Sequence, residues 1–166
     1  MSQTSRSMSG RKGFREREKS EFDQKTIDLA RVTRVVAGGK RMRFRACVVV
    51  GDRKGRVGMG VAKGADVQSA VEKAVAAAKR HLISVVLYKT TIPHPLNVKF
   101  KAARIILKPA PPGSGVIAGG AARAVLSLAG IRDVISKMLG SKNKINNVRA
   151  VILALSKLRP RTEPKK

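Results

Sequence analysis

Along most of the chain, apolar residues recur either at every second position or at three-to-four-residue intervals, and these two periods separate strands from helices. Around Leu29–Val36 a first strand is expected; the Gly38-Gly39 turn signal follows, and then a second run from Arg41 to Val50. In that run Met42, Phe44, Ala46, Val48 and Val50 share one face, while Arg41, Arg43, Arg45, Cys47 and Val49 share the other. Three arginines therefore stand on one side of a single strand. Gly51–Gly55 reads as a turn and Arg56–Lys63 as a third strand, in which Gly58 and Gly60 permit a bulge or the close approach of another backbone. Asp66 is placed to cap a helix whose apolar positions, Val67, Ala70, Val71, Ala74, Val75, Ala78 and Leu82, carry it to about His81.

Ile83–Tyr88 and the Pro93-His94-Pro95 break mark the passage to a second unit. There, strands are expected near Asn97–Lys101 and Arg104–Lys108, ended by Pro109, Pro111 and Pro112. A glycine-rich stretch, Pro112 to Gly120, leads into a helix through Ala129. Asp133–Leu139 fits a strand or a helix, with a strand expected by analogy, and a final helix covers about Ile145–Leu158 with Val148, Val151, Ile152 and Leu155 inward. The fold class is α+β: two small two-layer α/β modules, at residues 26–90 and 91–158, each a sheet with helix packed on it. Residues 1–25 form a polar basic extension without hydrophobic period, expected to be disordered in the isolated protein, and 159–166 form a basic tail.

Charge changes the picture most. Among 166 residues, 36 Lys and Arg face 10 Asp and Glu, a net charge of +26. Such an excess repels itself unless a polyanion neutralises it. From Lys73 onward there are 19 Lys and Arg but only Asp133 and Glu163 as acids, so little of the charge can be paired internally. Phe14, Phe22, Phe44, Phe100 and Tyr88 are the only aromatics, too few to stack successive bases, and that favours reading phosphates and folded RNA shape. Lone Cys47 excludes an internal disulfide and a cysteine-based metal cluster and fits a small core residue. No apolar run approaches the roughly 18 residues of a membrane span. Residues 1–15, rich in Ser and Arg and free of acids, share the composition of organellar targeting segments but lack their amphipathic stripe.

Catalytic chemistry finds little support. His81 and His94 are the only histidines, and neither has an acid near it in sequence. His81 near a helix end is expected to serve the helix dipole or RNA, and His94 to be a loop residue. Gly58–Gly64 and Gly113–Gly119 each fit Gly-x-Gly-x-x-x-Gly, one residue longer than the dinucleotide fingerprint and without a nucleotide-binding lysine. Each serves either backbone conformation or, through bare N–H groups before a helix, an RNA phosphate. No metal site, cofactor or enzymatic activity is expected. The strongest constellation is Lys40, Arg41, Arg43 and Arg45, followed by Arg53, Lys54, Arg56 and Lys63. Arginine grips phosphate with a planar fork and lysine with a point charge, so this set reads as a phosphate-binding surface.

Three blocks carry a family resemblance: Arg34–Phe44 with Val49–Lys63, Lys108–Leu128, and Gly140–Ala150. Taken in order from about Val32 to Leu158, they resemble ribosomal protein S5. The resemblance implies a first module similar to a double-stranded RNA-binding domain and a second α/β module, both held on 16S-type ribosomal RNA. It adds Arg34, Lys108, Arg123, Lys142, Lys144 and Arg149 to the expected RNA-binding residues. It implies small-subunit proteins four and eight as partners, and mRNA near the subunit's entrance. It further implies support of the head–body junction, influence on decoding accuracy, and a cytoplasmic ribosomal location, with an organellar matrix as the other compartment. Val36, Ala37, Gly38, Gly39 and Lys40 match the loop near the spectinomycin site, with Ala37 and Lys40 where many bacterial members carry Lys and Arg. The competing reading of the same basic faces is a free RNA-binding factor.

Overall fold

The computed structural model of the chain describes residues 21–160; most of the expected basic extension and the end of the tail lie outside them. Strand β1 (Asp23–Val36) pairs antiparallel with β2 (Gly39–Gly51), from Val36 opposite Gly39 to Asp23 opposite Gly51, with one register shift between Thr26 and Asp28. β1 thus begins six residues before the expected Leu29, and Asp23, Gln24 and Lys25 belong to it rather than to the extension. These residues carry no alternating apolar side chains, so pairing alone makes them a strand. β3 (Arg56–Gly64) adds to β2, and a three-residue β4 (Leu82–Ser84), too short to show a period, adds to β3. The first sheet therefore has four strands in the order β1-β2-β3-β4 where three were expected.

Helix α1 (Val67–Arg80) lies on one face of this sheet, with Ala70, Ala74 and Ala78 buried at four-residue spacing. Asp66 occupies its N-cap but makes no side-chain cap; its carbonyl accepts from the Ala70 N–H at 3.0 Å. The opposing strand is as small as the helix. Gly58, Gly60, Ala62 and Gly64 share the face of β3 that meets α1. A Cβ on Gly60 would run into the Ala74 carbonyl, and one on Gly58 would stand 2.5 Å from that of Ala78. The Gly58–Gly64 spacing is thus a strand-on-helix packing device, not a phosphate loop.

In the second module β5 (Leu96–Phe100), β6 (Ala103–Pro109), β7 (Val116–Ile117) and β8 (Val134–Leu139) form a sheet ordered β5-β6-β8-β7. β7 runs parallel to β8, and α2 (Gly120–Leu128) makes the crossover between them. Asp133–Leu139 is therefore strand rather than helix, beginning at Val134. Helix α3 (Lys144–Ser156) closes the fold; Asn143 Oδ1 caps it, accepting from the N–H groups of Ile145 at 3.0 Å and Asn146 at 3.4 Å.

One core joins the modules. Val49, Val57 and Val85 of the first pack with Ile105, Leu107, Val125, Val151 and Leu155 of the second, while Ala46, Val48 and Val50 form a smaller cluster with α1. Strand β2 from Ala46 to Val50 is accordingly buried on both faces. The face that carries arginines at one end of the strand carries Cys47 and Val49 at the other, under the second module. The turn after β2 is tied down too, with the N–H groups of Arg53 and Gly55 donating at 3.0 Å to Leu128 and Ala129 at the end of α2.

Candidate nucleic-acid interface

Beyond the reach of α1, β1 and β2 continue as a two-stranded arm that ends in the Ala37-Gly38 turn. Val35 and Met42, on the α1 side of the arm, are exposed, so the face expected to be apolar is covered only from Phe44 inward. Gly39 adopts φ +139°, where a side chain would be strained, and a Cβ there would meet nothing within 4 Å. Its glycine is required by backbone alone.

On the other face, cross-strand register sets Arg34 opposite Arg41, Val32 opposite Arg43, and Lys63 opposite Arg45. Arg34, Arg41, Arg43 and Lys63 line a groove of about 330 Å³ with Val32, Thr33 and Val36. No carboxylate pairs with these four cations among the described residues. Arg45 differs from them. Its guanidinium donates to Asp28 Oδ2 at 3.4 Å, while its Nε is buried without an acceptor. Lys144, from the start of α3, reaches the other oxygen of Asp28 at 3.4 Å, so one carboxylate joins the basic faces of the two modules.

The remaining cations of the first module stand elsewhere. At about 3.3 Å per residue, the turn after Gly51 is some 30 Å along the strand from Arg41. Arg53 is paired there with Asp23 at 2.7 Å, and Arg56 with Asp52 at 2.6 Å while lying 5.1 Å over the Phe22 ring. Asp52 also accepts from the N–H groups of Lys54 at 2.8 Å and Arg56 at 2.9 Å. Burial pushes its carboxyl up, but these bonds and the Arg56 guanidinium prevail and hold it below the usual carboxylate range, raising Arg56 in turn. The expected single constellation is therefore split between two ends of the sheet, with Arg56 engaged in the turn's own structure and Arg53 paired with the start of β1. Lys40 is exposed on β2 opposite Val35, on the α1 side of the arm and away from Arg41 and Arg43, and Lys54 is exposed in the turn after β2.

In the second module Arg149 lies on α3 with its guanidinium 6.0 Å from the Phe100 ring, Lys142 is exposed before α3, and Arg123 is exposed on α2. Lys108 belongs to a different surface, the open face of the second sheet. There Lys99 opposes Arg104, Ile106 opposes Lys137, and Lys108 opposes Ile135. Lys99, Arg104 and Lys137 were missed as candidates, although alternation with buried Val98, Ile105 and Ser136 marks them as outward residues of a half-buried sheet. The glycine-rich segment before α2 is held by Asp133, whose Oδ1 accepts from the Gly115 N–H at 3.0 Å. The Thr90 hydroxyl first, and that N–H second, keep the Asp133 carboxyl below its usual range. His81 caps the end of α1 with its ring Nδ1 2.8 Å from the Ala77 carbonyl, and His94 sits in the loop before β5.

Two sheet-and-helix modules with a shared core and several unpaired cationic surfaces define a basic structural protein built to meet a polyanion. The profile of "Ribosomal protein S5, N-terminal domain" matches residues 22–86, and that of "Ribosomal protein S5, C-terminal domain" matches residues 98–165. A "Small ribosomal subunit protein uS5" of Nostoc punctiforme is 50% identical over 148 residues, 89% of this chain and 85% of its own length. The same protein of Synechococcus elongatus is 50% identical over 146 residues, covering 87% and 81%. A "Small ribosomal subunit protein uS5c" of Spinacia oleracea is 50% identical over 151 residues, 90% of this chain and 49% of its own length. The chain belongs to the ribosomal protein S5 family. That family is structural and not enzymatic, in agreement with the scarcity of catalytic groups in the sequence.

Proposed function

We propose that the protein is a structural constituent of the small ribosomal subunit that binds 16S-type ribosomal RNA through the cationic groove of the β1–β2 arm. The observation that carries this reading is the convergence of Arg34, Arg41, Arg43 and Lys63 on one groove without a facing carboxylate among the described residues. Four cations on one face of paired strands suit the phosphates of a folded RNA and contribute affinity without reading bases. Within that role, the arm's tip reaches toward the head–body junction near the spectinomycin site. Small-subunit proteins four and eight are neighbours, and the protein helps line the mRNA entrance and influences decoding accuracy.

The test is cosedimentation of the tagged protein with the small subunit through a sucrose cushion, comparing the parent with the Arg41→Ala/Arg43→Ala variant. The parent is expected to stay bound at physiological salt, and the variant to bind isolated ribosomal RNA with a log–log salt slope smaller by about 2. Exchange of the parent off the subunit at that salt favours a free factor, and an unchanged slope removes the groove from the interface. For the tip, Gly39→Val is expected to cost about 1–2 kcal/mol of local strain. It should alter the footprint and spectinomycin response of reconstituted subunits, and normal values for both would make the loop a mere connector.

A further inference from the structure

Strand β1 stands at the edge of its sheet and pairs with β2 on one side only. At the arm's tip Val36 faces Gly39 across a two-residue turn, so these two close the hairpin as a hydrogen-bonded pair. By alternation Arg34 and Val32 also bond to β2, whereas Leu29, Arg31, Thr33 and Val35 turn their N–H and C=O groups outward. None of these outward groups meets another backbone group among the described residues. The one register shift of β1 lies further back, between Thr26 and Asp28, and the strand holds no proline. From Leu29 to Val35 it is therefore an unbroken template for a further strand.

The side chains beside this edge narrow what can fill it. Leu29, Val35 and Met42 are 46, 74 and 52% exposed, and all three lie on the α1 side of the arm, so they form an open apolar stripe rather than scattered residues. Arg31 on that face and Arg34 on the other have no carboxylate partner among the described residues. A second copy of the chain would set these arginines against their own kind, with a net charge of +26 on each side. RNA phosphates would accept from the N–H groups and the arginines but would leave the carbonyls and the apolar stripe unmatched. An extended acidic peptide answers all of them: its backbone pairs with the edge, its apolar residues meet Leu29 and Val35, and its carboxylates meet Arg31 and Arg34.

We propose that β1 accepts, from Leu29 to Val35, one more antiparallel strand: an extended segment of another protein in which acidic residues are interspersed with apolar ones. This surface shares only Arg34 with the groove assigned to RNA and does not depend on that assignment.

The experiment follows amide shifts and hydrogen exchange of the full chain during titration with the blocked heptapeptide Val-Glu-Thr-Val-Glu-Thr-Val. In antiparallel register its glutamates stand opposite Arg34 and Arg31. It is expected to slow exchange at the Leu29, Arg31, Thr33 and Val35 amides and to bind about tenfold tighter than its Val-Lys-Thr-Val-Lys-Thr-Val counterpart. Arg31→Glu should weaken the glutamate peptide about fivefold and strengthen the lysine peptide. Thr33→Pro removes an outward donor and keeps the bonds of Val32 and Arg34 to β2, so it should abolish the protection. Protection that survives in Thr33→Pro, or peptide affinities unchanged in Arg31→Glu, would overturn the proposal, as would no protection in the parent. Hexaglutamate acting as strongly would reduce the effect to charge. Hexauridylate protecting the same four amides would make the edge an RNA surface, and a parent dimer that Thr33→Pro dissolves would make it a self-association surface; each of these three results defeats the acidic strand.

Discussion

Cys47 shows how far a residue's neighbours can change its chemistry. It stands two positions from Arg45 on the same strand face, yet it is 1% exposed because the second module covers that part of β2. Burial, and secondarily the Asp28 carboxylate, push its thiol up to about 11, against the opposing pull of Arg149 and Arg45. The thiolate is the nucleophile, so iodoacetamide at about pH 8 should label the folded protein hardly at all and the denatured protein readily. Stoichiometric labelling without denaturant would mean that the modules separate in solution. Arg45, Arg41 and Arg43 were equivalent by alternation alone. The fold distinguishes them by placing Asp28, 17 residues earlier, beside Arg45.

At the scale of elements, the contact between α1 and β3 works through what both sides lack. Alanines at Ala70, Ala74 and Ala78 meet glycines at Gly58, Gly60 and Gly64, and the backbones approach closely enough that one methyl group has no room. Gly60→Ala is therefore expected to destabilise the fold by about 1–3 kcal/mol through overpacking. The midpoint of urea unfolding should fall with its slope unchanged. Because α1 lies on the face away from the cationic groove, RNA affinity of the folded variant should equal the parent's. A parental midpoint would show that the helix can shift without loss. The helix, its approximate end at His81 and the two-residue alternation of β2 were all legible, because each is a local repeat that exposes one stripe to a core. The three-residue β4 and the start of β1 at Asp23 were not: pairing with a neighbour makes them strands, and neither carries an alternating stripe of its own.

For the whole molecule, two carboxylates make acid stability a property of the loops. Asp133 anchors the glycine-rich segment before α2, and Asp52 closes the turn docked on the end of α2; both are held below the ordinary carboxylate range. A group whose pKa is lower in the folded state stabilises the fold fully above its unfolded value and loses that contribution as pH falls through the folded one. Stability should thus decline from about pH 4 downward. Asp133→Asn is expected to lower the melting temperature at neutral pH and to flatten the decline below about pH 4. An acid limb as steep as the parent's would assign the decline to other groups. The sequence by itself determined the periods of the main strands and helices, the two-module α+β class and the excess of positive charge, since these follow from local side-chain order and composition. Only the tertiary structure decided that β2 is buried on both faces, that Arg53 pairs with Asp23 of β1, and that Lys25, Gly120 and Asn147 share one cleft. Each of those depends on which distant segments return to the same place, and hydrophobic periodicity reports the face a residue turns inward without naming what will meet it there.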